Sequence, residues 1–88
     1  MTKRRLFSSD QIIAALQRGG FEIARKTGSH MSLSRERPDG GHDVTVVKMG
    51  EPEIPKGTFD SILRLANVDY DDFLIWAKVK TKGKQRRA

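Results

Sequence analysis

Apolar residues recur along this chain first at helical spacing, then in alternation, then at helical spacing again. Ser8 and Gln11 stand at capping-box spacing, with Phe7 and Ile12 at the positions of a hydrophobic staple. Ile12, Ile13 and Leu16 then form a stripe, which predicts a first helix that Gly19-Gly20 closes, because glycine accepts the left-handed conformation of a helix end. Alternation takes over in Phe21-Glu22-Ile23-Ala24-Arg25 and returns in the opposite phase in His30-Met31-Ser32-Leu33-Ser34, which predicts two strands. A third strand is expected at Asp43-Val44-Thr45-Val46-Val47, with Val44 and Val46 in the core and Thr45 and Val47 on the open face. Between the second and third strands, residues 36–42 read as a mobile loop on their proline and glycines. Residues 50–55, with two prolines, connect across the sheet.

Helical spacing resumes at Phe59, Ile62, Leu63 and Ala66, with Asn67 as the stop. Asp69 can cap a third helix whose stripe is Tyr70, Phe73, Leu74 and Ala77. Trp76 lies off that stripe and either covers the edge of the core or meets a partner. The order is helix, three antiparallel strands, two helices: a small α+β domain of two layers, one sheet face covered and one open. A single domain is expected over residues 1–77, followed by a basic, disordered tail at 78–88.

The shared face decides the pairing of the first two strands. If Phe21 and Ile23 are buried with Leu33 and Met31, Ile23 lies opposite Met31 and Phe21 opposite Leu33. Lys26-Thr27-Gly28 is then a three-residue loop with Gly28 at its left-handed position. His30 falls on the face away from the core, across from Ala24, with Ser32 and Ser34 further along. Alanine leaves space for a ligand to approach the imidazole there.

Composition narrows the chemistry. With 88 residues and one modest core, any active group must work from an open surface. The absence of cysteine excludes a disulfide framework, a thiolate nucleophile and a cysteine metal site. A basic N-terminus runs into polar Ser8-Ser9-Asp10 rather than an apolar stretch, so no signal peptide is expected, and no segment reaches membrane-spanning length. A cytoplasmic protein with no membrane association is the expectation. The net charge of +6 points to a polyanionic partner, yet residues 6–77 carry eight basic and eleven acidic groups. The excess therefore lies in the two ends, while Arg18, Arg25, Lys26, Arg35 and Arg37 are expected to form a local positive patch around the turn before His30.

Gly20-Phe21-Glu22, then Arg25-Lys26-Thr27-Gly28-Ser29-His30, then Lys56-Gly57-Thr58-Phe59 with Ser61-Ile62-Leu63-Arg64, and Phe73 in a last helix, follow one another in an order and spacing that resembles the HicA family of bacterial toxins. The likeness covers roughly residues 8–75, outside the tail. It implies a double-stranded-RNA-binding-like fold, an mRNA interferase and a HicB-like antitoxin partner. It also implies that His30, in the Gly-Ser-His triplet, is the catalytic residue. The family's frequent proline and second histidine at the end of the third strand are absent here, where Val47-Lys48-Met49 stands.

That resemblance agrees with a chemistry in which RNA supplies its own 2′-hydroxyl nucleophile, so that no metal-bound water is needed. An imidazole can act as general acid or base near neutral pH. His30 would take that part, and Arg25, Lys26 and the Gly28 and Ser29 backbone amides would hold the phosphate. Arg25 and Lys26 read equally as solvated charges at a hairpin end. Ser29 reads as a turn residue rather than a nucleophile, and His42 as a solvated loop residue. The histidines and nearby acids lack zinc-site spacing, so neither metal nor cofactor is expected. The rival reading is a noncatalytic RNA-binding module of the same fold; a third is a protein-contact scaffold using Trp76 and the acidic last helix.

Overall fold

A computed structural model describes residues 5–79. The expected basic residues Lys3 and Arg4 and most of the expected tail lie outside the described residues. The first helix, α1, spans Ser9–Arg18. The Gln11 N–H donates to Ser8 Oγ at 3.1 Å, and the Ser8 N–H donates to Gln11 Oε1 at 2.9 Å, so the capping box closes in both directions. Gly19 caps the other end with φ of −84°, and the left-handed residue is Gly20, at φ of +100°. Gly19 has a different necessity: a methyl group on it would collide with the Trp76 indole. Trp76 thus covers the edge of the core, and its carbonyl accepts from Arg18 at 2.7 Å.

Three strands follow, β1 at Glu22–Thr27, β2 at His30–Glu36 and β3 at His42–Lys48, in an antiparallel sheet of order β1-β2-β3. Helices α2, Lys56–Ala66, and α3, Tyr70–Trp76, complete the covering layer. Asn67 ends α2 in the left-handed conformation at φ of 60°, as its stop position requires. Asp69 is the N-cap of α3, although its side chain makes no capping hydrogen bond. The predicted stripes face the core, with Ile13, Tyr70 and Ala77 only partly buried, and Phe7, Phe59 and Phe73 meet at ring centroid distances of 5.0–5.5 Å in the same core as Leu33 and Val47 of the sheet. This is a small α+β two-layer arrangement like that of the double-stranded-RNA-binding fold. Lys78 and Val79 still belong to it. The Val79 N–H donates to the Leu74 carbonyl at 3.0 Å and its side chain packs on the core.

The expected pairing of Ile23 with Met31 does not form. Ile23 lies opposite Leu33, Ala24 is bulged out, and Arg25, Lys26 and Thr27 face Ser32, Met31 and His30. The connection is a two-residue turn, Gly28-Ser29, with the positive φ of +56° at Gly28, the glycine-first pattern whose twist suits a hairpin. Burial of Ile23 was the premise of the other register, and β1 is an edge strand exposed at every position.

The phase of β3 is also the reverse of the expected one. Val44 and Val46 are 49% and 41% exposed, whereas Val47, Thr45 and Asp43 are buried. Polar residues are tolerated beneath the helices because each has partners there. Thr45 Oγ1 donates to the Ile62 carbonyl of α2 at 2.8 Å, and the Asp43 carboxylate accepts from Arg37 at 2.8 Å and from Arg35 at 3.4 Å. The segment expected as a mobile loop is shorter, residues 37–41, and is closed by the Arg37 N–H donating to the Gly41 carbonyl at 2.7 Å and the Gly41 N–H donating to Asp39 at 2.8 Å.

Candidate functional site

His30 is exposed and begins β2 on the open face of the sheet, because Met31 and Leu33 turn toward the helices and the intervening residues turn away. Pairing fixes its neighbours. In one cross-strand row stand Thr27, His30 and Lys48; in the next, Arg25, Ser32 and Val46; in the third, Glu22, Ser34 and Val44. Directly opposed side chains on one face have Cβ atoms roughly 4.5–5.5 Å apart, so Lys48 and Thr27, rather than Ala24, flank the imidazole.

The backbone around this row is held from three sides. Met49 N–H donates to the Ser29 carbonyl at 2.6 Å, which locks the end of β3 to the hairpin turn. The buried Ser9 hydroxyl donates to the Lys48 carbonyl and accepts from the Glu51 N–H at 3.0 Å, while the Ser9 N–H donates to the Glu51 carbonyl at 2.9 Å. The first turn of α1 therefore sets where β3 ends. Lys48 Nζ lies 3.4 Å from the Glu51 carboxylate in an exposed ion pair. Above Gly28, a Cβ would meet nothing within 4 Å, so the turn borders open space.

Of the expected site residues, the fold brings His30, Arg25, Gly28 and Ser29 to the open face and its adjoining turn. Lys26 shares the row of Met31 and Val47 and so belongs to the other side of the sheet. The expected positive patch divides. Arg35 lies on the helix side, its guanidinium 4.6 Å from the Phe21 ring centroid, and donates to the Gly19 carbonyl and to Asp43. Arg37 is held by Asp43 and Asp39, and these hydrogen bonds raise its pKa further. The Gly41 N–H, with help from Arg37, holds the Asp39 carboxyl below its ordinary value. These two arginines serve the far end of the sheet, about 17–23 Å from His30 along the direction of β2.

His42 opens β3 opposite Glu36, rather than lying in the loop, and is about 20 Å along the sheet from His30. It cannot share a reacting atom with His30. Lys48 is the residue that sequence reasoning missed as a functional candidate. Its signal was its place at the end of the third strand, where the resemblance called for a histidine and only the register shows what it faces. Among the described residues no cluster of three His, Cys, Asp or Glu side chains could hold a metal ion, and no helix is long and apolar enough to cross a membrane.

No curated protein compared with the chain matches it. A protein-family model described as the HicA toxin of bacterial toxin-antitoxin matches residues 9–68, from the first turn of α1 to just past α2, a span that holds the whole sheet.

Proposed function

Because the chain belongs to the HicA toxin family of bacterial toxin-antitoxin systems, we propose that it is the ribonuclease of such a pair, cleaving messenger RNA in the cytoplasm with His30 as the catalytic residue. The observation that carries this reading is the place of His30: an exposed imidazole at the rim of the open sheet face, beside a glycine turn bordered by open space. RNA presents its 2′-hydroxyl as the nucleophile. His30 takes that proton, the 2′-oxygen bonds to phosphorus, the bond from phosphorus to the 5′-oxygen breaks, and water supplies the proton to the leaving oxygen. The products are a 2′,3′-cyclic phosphate and a 5′-hydroxyl. Arg25, one row from His30 on the same face, and the Gly28 and Ser29 backbone amides bind the phosphate. Lys26, on the other side, adds only to the general field of the hairpin end.

Family membership implies an antitoxin, and we take it to be a HicB-like protein. Incubation with mixed-sequence RNA in the presence of a chelator, beside His30→Ala, tests the activity. Wild-type cleavage leaving cyclic phosphates, with the variant slower by about 10²–10⁴-fold, is the expected result. Fragments with 5′-phosphates would overturn the mechanism. RNA bound but left intact by both proteins would replace it with a noncatalytic RNA-binding module.

A further inference from the structure

We propose that Lys48 is a second catalytic group, an ammonium that bears on the nonbridging phosphate oxygens as negative charge accumulates on them during cleavage. This rests on the ribonuclease reading of His30 and names the partner that the reading leaves open.

Position is the first argument. Lys48 is the direct cross-strand partner of His30, and both are exposed on the open face. A phosphate seated on the imidazole edge is therefore within reach of a lysine ammonium, whose flexible stem spans several ångströms. Two described cations share that face near His30, and Arg25 is a row further away than Lys48. Elsewhere Arg35 and Arg37 are committed to Asp43, Arg18 to the Trp76 carbonyl and Lys56 to Asp60, all on other parts of the fold.

Construction is the second. The backbone of Lys48 is held by the Ser9 hydroxyl, and the next residue is bonded to the turn that carries His30. The two side chains thus spring from backbone that cannot easily separate, which keeps the ammonium within reach of a phosphate at the imidazole. The tip remains free to move, since its ion pair with Glu51 is exposed on both sides and such pairs contribute little. An incoming phosphate can draw the ammonium away from that carboxylate.

The chemistry supplies the third. In the transesterification, His30 takes the 2′-hydroxyl proton and water protonates the 5′-oxygen, so Lys48 exchanges no proton. Its part is electrostatic, and it is largest when the phosphorus is five-coordinate and its equatorial oxygens carry the most charge. Loss of the ammonium should then lower the rate of the chemical step more than the binding of substrate.

Single-turnover cleavage of an RNA oligonucleotide across pH, for wild type, Lys48→Met, Lys48→Arg and the charge-matched control Arg64→Ala, tests this. Expected are a fall of about 10²-fold in the cleavage rate of Lys48→Met with little change in the RNA concentration giving half-maximal rate, recovery to within about tenfold in Lys48→Arg, and an unchanged rate in Arg64→Ala. The shape of the pH–rate profile should be the same in wild type and every variant, because Lys48 exchanges no proton. Lys48→Met cleaving like wild type would overturn the proposal and leave the ribonuclease intact. So would equal loss in the Met and Arg variants, or a loss confined to RNA affinity. A wild-type protein that does not cleave would instead remove the ribonuclease reading, and this one with it.

Discussion

His30 illustrates how little of a residue's role lies in its own identity. The chain has two histidines, both exposed on strands, and they differ in what the sheet places beside them: Lys48 and Thr27 around one, Glu36 across from the other. Asp43 makes the same point for stability. Its carboxylate is nearly buried and serves two arginines that are themselves partly exposed. Asp43→Ala would remove the carboxylate that the two guanidinium groups share, leaving Arg35 the Gly19 carbonyl and Arg37 the more exposed Asp39. Urea unfolding should show a loss of about 1–3 kcal/mol, below the range for a fully buried pair because solvent still reaches the arginines. A loss under about 0.5 kcal/mol would mean that the Gly19 carbonyl and Asp39 suffice for the two arginines.

At the scale of the element, β3 carries the clearest consequence. Two valines adjacent in sequence, Val46 and Val47, lie on opposite faces, one 41% exposed and the other wholly buried beside Leu33 and the phenylalanine cluster. Val46→Ser should cost less than about 1 kcal/mol, mostly strand preference. Val47→Ser should cost about 2–4 kcal/mol, because it opens a cavity and buries a hydroxyl. Denaturation midpoints of the two variants side by side would check the phase directly; equal losses would contradict it. The hydroxyl of Thr45 escapes that penalty through its bond to the Ile62 carbonyl, which is why a polar side chain can occupy the centre of the covered face.

The whole molecule has one covered sheet face and one open one, and its candidate chemistry lies at the rim of the open face. An antitoxin that silences this toxin by covering His30 must occupy the ground that RNA needs. With the His30→Ala variant, proposed to cleave more slowly, and a labelled RNA, titration of the cognate antitoxin should displace the RNA fully, and a complex holding both would exclude inhibition by occlusion. Charge is organised on the same scale. The described positive groups near the far end of the sheet are spent on Asp39 and Asp43, leaving Arg25 and Lys48 as the cations that face outward beside His30.

The amino-acid sequence by itself determined the features that depend on neighbours a few residues apart. The reciprocal cap of α1, the stripes of α2 and α3 and the left-handed stop at Asn67 are local matters of spacing and conformation. So is the face on which His30 lies, since it depends only on the alternation of Met31 and Leu33 within its own strand, and for that reason it survives the wrong register. Only the tertiary structure decided what depends on pairing across the sheet. The two-residue turn shifted the pairing of β1 by two residues at Ile23, and the bulge at Ala24 made the shift three beyond it, which drew Lys26 out of the expected loop onto the covered side and put Thr27 beside His30. Partners offered by α2 and by two arginines let Thr45 and Asp43 turn inward, which freed Val44 and Val46 to face solvent and set Lys48 against His30. Hydrophobicity alone ranks valine above threonine for the core, and it cannot register a hydrogen bond to a carbonyl that a distant helix supplies.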